Sequence, residues 1–99
     1  MDSIDIYNTL KPQLEAIKKK KEEFKRLSAA LWQASKDGDN VAYDHIYNEL
    51  HDTEIAFRQM TNELFYDAAI FAGGKFNERY QAVKLTFEAE IGAVLYMGS

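Results

Sequence analysis

The sequence predicts an all-α fold, an antiparallel three-helix bundle in which a short N-terminal helix leads into two long helices and a C-terminal helix. Three observations carry that expectation. Apolar residues recur at helical spacing through most of the 99 residues. Two glycine-bearing stretches, residues 36–40 and the pair Gly73 and Gly74, divide the chain into three segments. A lone proline, Pro12, stands early in the first segment, where a ring without an N–H suits the first turn of a helix and damages an interior.

The first segment covers residues 3–36. Ser3 is the expected N-cap, with Asp5 in the first turn, where a carboxylate suits the helix dipole. Pro12 suggests a short helix over residues 3–10 and a long one starting near Lys11. Leu10, Leu14, Ile17, Phe24, Leu27 and Leu31 follow one another at intervals of three, four or seven, the signature of one helix face.

The second segment, residues 39–72, shows the strongest periodicity. Ile46, Leu50, Phe57, Met60, Leu64, Ala68 and Phe71 share a face, and Tyr43 and Tyr47 widen it at the start. The third segment, residues 75–97, fits two templates. Residues 83–91 alternate apolar and polar as a strand does. Phe76, Tyr80, Val83, Phe87, Ile91, Val94 and Leu95 instead fall on one helical face. Helix is preferred because it uses the whole segment, and strands beyond about 10 residues are uncommon. The alternative is α+β, with residues 82–97 as a strand or hairpin. Short turns between the segments make neighbours antiparallel.

A chain of 99 residues is expected to form one domain, with 46% hydrophobic and 13% aromatic residues in the globular range. It contains no cysteine, so disulfides, thiolate nucleophiles and Cys-ligated metals are excluded. Residues 1–5 are too acidic for a secretory leader, and the longest apolar-leaning run, residues 68–72, is far short of the roughly 20 a span needs. The expected location is the cytoplasm. The net charge of −4 is unevenly spread: residues 11–26 carry seven basic and three acidic side chains, residues 37–99 four basic and eleven acidic ones.

That distribution yields the first candidate site. Lys18, Lys19, Lys20 and Lys21, with Lys25 and Arg26 one to two turns on, are candidate phosphate contacts for a nucleotide or nucleic acid, with Tyr7 or Trp32 as stacking groups. The competing reading is a solvated helix face. Lys21 falls in the apolar seam between Ile17 and Phe24, where its stem can lie on the core while its charge reaches water. The other lysines are then expected to face the acidic second helix. The acidity of the whole chain weighs against duplex DNA.

Enzyme and metal readings rank last. His45, Glu49 and Asp52 share a flank of the second helix, extended by Glu63 and Asp67, but His51 points elsewhere and no Glu-x-x-His motif occurs. The four serines, Ser3, Ser28, Ser35 and Ser99, lie in no nucleophile elbow, and Gly73 with Gly74 is no phosphate loop. No cofactor and no catalytic residue is assigned.

The remaining signal is surplus apolar surface. Ile55, Tyr66, Ala69 and Ile70 lie behind the main stripe of the second helix, Trp32 at the edge of the first stripe, and Leu85, Ala89 and Tyr96 on a second line of the third segment. Such lines are either a wider core or a surface buried against another chain. The leading expectation is a small protein-interaction module, a homodimer or larger. Trp32, Ile55, Tyr66, Ile70, Leu85 and Tyr96 would form its partner or oligomer interface. Size and simplicity suit a regulator, adaptor or inhibitor, for instance a phage or plasmid accessory protein.

Overall fold

The structure is a computed structural model and describes residues 1–92. It contains α1 (Ser3–Asp37), α2 (Asn40–Ala72) and α3 (Glu78–Ile91), and no strand among the described residues. The α+β alternative is thereby overturned for the part of residues 82–97 that is described: residues 82–91 are helical. The expectations for Val94, Leu95, Tyr96 and Met97 lie outside the described residues.

The short N-terminal helix is also corrected. A single helix of 35 residues runs through Pro12. Pro12 is exposed, so its ring faces water and its one missing backbone bond falls on the wet side of the helix. The buried residues Ile6, Leu10, Leu14 and Ile17 span the proline and hold both sides of it to the same core. Tertiary packing here outweighs a local cost of about 3 kcal/mol. The N-cap is Asp2, one residue before Ser3, and its carboxylate accepts the Asp5 N–H at 2.8 Å.

Both turns follow from glycine. Gly38 takes φ +69° and Gly73 φ +88°, left-handed values that L side chains resist. At each, two N–H groups return to the last helical turn: Gly38 to Ser35 and Asp39 to Ala34, then Gly73 to Ile70 and Gly74 to Ala69. Asp39 and Asn77 then cap α2 and α3. The third helix begins at Glu78, not near Lys75, and Phe76 stands fully exposed in the turn rather than on the expected stripe.

The hairpin of α1 and α2 is the frame. A helix of 35 residues is about 52 Å long at 1.5 Å per residue, and 52 Å is the longest dimension of the molecule. The 14 residues of α3 cover only the half of the hairpin remote from the 38–39 turn. Phe87, fully buried, sits at the centre of that half: its ring stacks on Tyr7 of α1 at 5.8 Å and meets the edge of Phe65 of α2 at 6.2 Å. Ala69, read from the sequence as surplus surface, is buried in this core, and Phe71, read as core, is exposed.

Two heptad series show where α3 stops. Leu10, Ile17, Phe24 and Leu31 succeed one another along α1, as do Tyr43, Leu50, Phe57 and Leu64 along α2. Beside α3, Leu10, Ile17, Phe57 and Leu64 are buried. Beyond it, Phe24, Leu31, Tyr43 and Leu50 are only half-buried. Among the described residues, the distal half is therefore a two-helix seam, closed where Leu27 and Ala34 are buried, and the proximal half a three-helix core.

Candidate functional site

The lysine belt is built into the fold. Lys18 Nζ lies 2.6 Å from Glu90 Oε1, near the C-terminus of α3, and Tyr7 Oη donates to Glu90 Oε2, also at 2.6 Å. Lys21 Nζ donates to the Ile91 carbonyl at 2.6 Å, satisfying an orphan acceptor at the negative end of the helix dipole. These contacts latch the end of α3 to α1. The hydrogen bond from Lys18, then that from Tyr7, hold the Glu90 carboxyl below its ordinary pKa. The same carboxylate, through its hydrogen bond first, raises the Lys18 ammonium and the Tyr7 phenol above theirs.

The expectation that the lysines other than Lys21 face α2 is thus corrected for Lys18, which meets α3, and the Lys21 charge, expected to reach water, is instead on the Ile91 carbonyl. It holds for Lys20, which pairs with Glu23 at 3.1 Å and lines a shallow cleft with Glu49 and Asp52 of α2. Lys25 stands 3.8 Å from Glu22. Lys19 and Arg26 are exposed. The belt offers Lys19, Lys25 and Arg26 to an outside anion, while Tyr7 is spent on Glu90 and Phe87.

His45 Nε2 sits 2.8 Å from Glu49 Oε1 in an exposed pair. Among the described residues, no group of three or more His, Asp or Glu gathers in a way that could hold a metal ion. No described helix is long and apolar enough to cross a membrane.

The apolar candidates are placed on several faces. Tyr66 and Ile70, 64% and 58% exposed, are one turn apart on the outer flank of α2. Ile55 continues their line at 43% exposure, about 22 Å from Ile70 by helical rise. Leu85, 66% exposed, lies on the side of α3 opposite Val83 and Phe87. Trp32 is near the 38–39 turn, its ring 66% exposed with Lys36 Nζ 5.9 Å from the centroid. The structure sets Tyr66 and Ile70 side by side, leaves Ile55 on the same flank but beyond the exposed Gln59 and Asn62, and puts Leu85 and Trp32 on other helices. Tyr96 lies outside the described residues.

Sequence reasoning missed the role of Glu90. Its signal is present in outline, since an acidic residue near the end of α3 has a basic run to answer in α1. The spacing alone does not reveal that α3 ends at the level of residues 18–21. Comparison of the chain with protein-family models, with curated proteins and with solved structures finds no match.

Proposed function

We propose that the protein is a helical interaction module, not an enzyme, that works in the cytoplasm by binding another protein and by self-association. The observation that carries this reading is the Ile55, Tyr66 and Ile70 line on α2. None of these three side chains belongs to the buried core, and Tyr66 and Ile70 expose aromatic and apolar surface one turn apart on one rigid face. A regulator, adaptor or inhibitor works through such a face. The chemistry of the lysine belt supports a phosphate-binding reading less, because Lys18, Lys20 and Lys21 already have partners within the chain.

The test is the double variant Tyr66→Asp with Ile70→Asp. Both positions are exposed, so helicity by circular dichroism is expected to match the parent protein. A protein retained by the immobilised parent and lost by the variant supports the reading. Equal retention by both overturns this face as the binding surface.

A further inference from the structure

The face of α2 that carries Tyr66 and Ile70 is marked by charge as well as by apolar surface. Round the helix, Tyr66, Ile70, Glu63 and Asp67 follow in that order within about 100° and over about two turns. One strip therefore has an apolar half and an acidic half, edge to edge. Tyr66, Ile70 and Glu63 are exposed. Asp67 is half-buried, and its carboxylate accepts from the neutral Gln13 amide at 3.1 Å. Neither Glu63 nor Asp67 has an ionic partner among the described residues. The whole of α2 holds six carboxylates against one Lys or Arg. That cation, Arg58, lies off the strip and is 2.9 Å from Glu54. Lys20 of α1 reaches this flank of α2 beside Glu49 and Asp52, about 16 Å or more along the helix from Glu63.

We propose that this strip receives a lysine- or arginine-bearing amphipathic helix of another protein, with its apolar row on Tyr66 and Ile70 and its basic flank on Glu63 and Asp67. This rests on the reading of the chain as an interaction module and names the chemistry of the partner. Charge complementarity selects the occupant. A body seated on Ile70 also covers the neighbouring Glu63. A carboxylate brought there repels it, a neutral group strips its water without replacing it, and a cation pairs with it. The strip is straight and follows one helix, so its counterpart is another helix with an apolar row beside a charged one. A second copy seated face to face brings more carboxylates and no Lys or Arg to this strip, since a two-fold contact sets the same patch on both sides. The contact is short, so affinity in the micromolar range is expected.

Two synthetic helical peptides test this. They share one leucine stripe, flanked by lysine in one and by glutamate in the other. Calorimetric titration at about 50 mM salt is expected to show binding of the lysine peptide, at least about tenfold tighter than the glutamate peptide and weaker as salt rises. Glu63→Lys is expected to weaken it about five- to tenfold. Asp37→Lys makes the same charge change at the far end of the hairpin, on an exposed side chain, and is expected to leave binding within about twofold. Tyr66→Ala with Ile70→Ala keeps the charge and is expected to weaken binding about tenfold at unchanged helicity. No binding of the lysine peptide up to about 1 mM overturns the proposal. So does an equal loss from Glu63→Lys and Asp37→Lys, which assigns the binding to net charge. Equal or tighter binding of the glutamate peptide, abolished by Tyr66→Ala with Ile70→Ala, overturns the basic partner and leaves the interaction-module reading standing. A dimer in sedimentation that the same double variant abolishes puts a second copy on the strip and likewise overturns only the proposal. Binding of either peptide that ignores Tyr66 and Ile70 removes both.

Discussion

Glu90 draws Tyr7 and Lys18 of one helix onto the last turn of another, and the pH response of that latch follows from the directions of the three shifts. A carboxyl held below its unfolded pKa contributes stability that is present above about pH 4.3 and is lost as pH falls through the folded value. An ammonium and a phenol held above theirs contribute stability that is present below about pH 10 and is lost as pH rises through the folded values. Glu90→Gln is expected to flatten the acid limb of a melting-temperature profile; an unchanged limb would assign it to other carboxylates. Thr61 poses a different question. Its hydroxyl is buried and has no hydrogen-bond partner among the described residues. Replacing an unsatisfied buried hydroxyl by a methyl group removes its desolvation penalty, so Thr61→Val should stabilise the fold by about 1 kcal/mol in urea titrations.

At the level of the helix, Pro12 is the informative residue. Pro12→Ala restores one backbone bond and removes a steric clash, a gain of about 3 kcal/mol, less up to about 1 kcal/mol for the freer unfolded chain. The expected outcome is a net stabilisation of roughly 2 kcal/mol by urea denaturation; destabilisation would mean that the proline itself is needed for packing. Phe57→Ala in α2, 5% exposed, should cost about 3–5 kcal/mol. The apolar spacing made α2 legible, with both ends nearly right, because glycine and aspartate mark them unambiguously. The same spacing was not enough in α1, where the rule against interior proline is local and the core that overrides it is not. It was not enough in α3 either. Phe76 sits in phase with the stripe, but the Asn77 cap starts the helix at Glu78, two residues too late to use it.

Taken together, the described residues make a firm three-helix end and a thinner two-helix end. Opening of backbone amides should report this directly: hydrogen exchange is expected to be slowest around residues 57–69 and 10–17, beneath α3, and faster along residues 24–34 and 42–52. Uniform protection would indicate that the two-helix half is covered in solution. The candidate surface was legible only in part. Periodicity identifies Ile55, Tyr66 and Ile70 as one line because they share a helix. It cannot place Leu85 or Trp32 relative to them, since that depends on how far along the hairpin α3 reaches.

The length of the hairpin also makes it a ruler. Trp32 stands at the level of about residue 45 in α2, so a body seated there and another seated at Ile70 are held some 37 Å apart on a stiff two-helix rod. Adding seven residues to each arm at matching heights would lengthen that separation by about 10 Å while nearly preserving the angle between the two seats. A task that depends on the spacing would respond to the added length, and one that depends only on either seat would not.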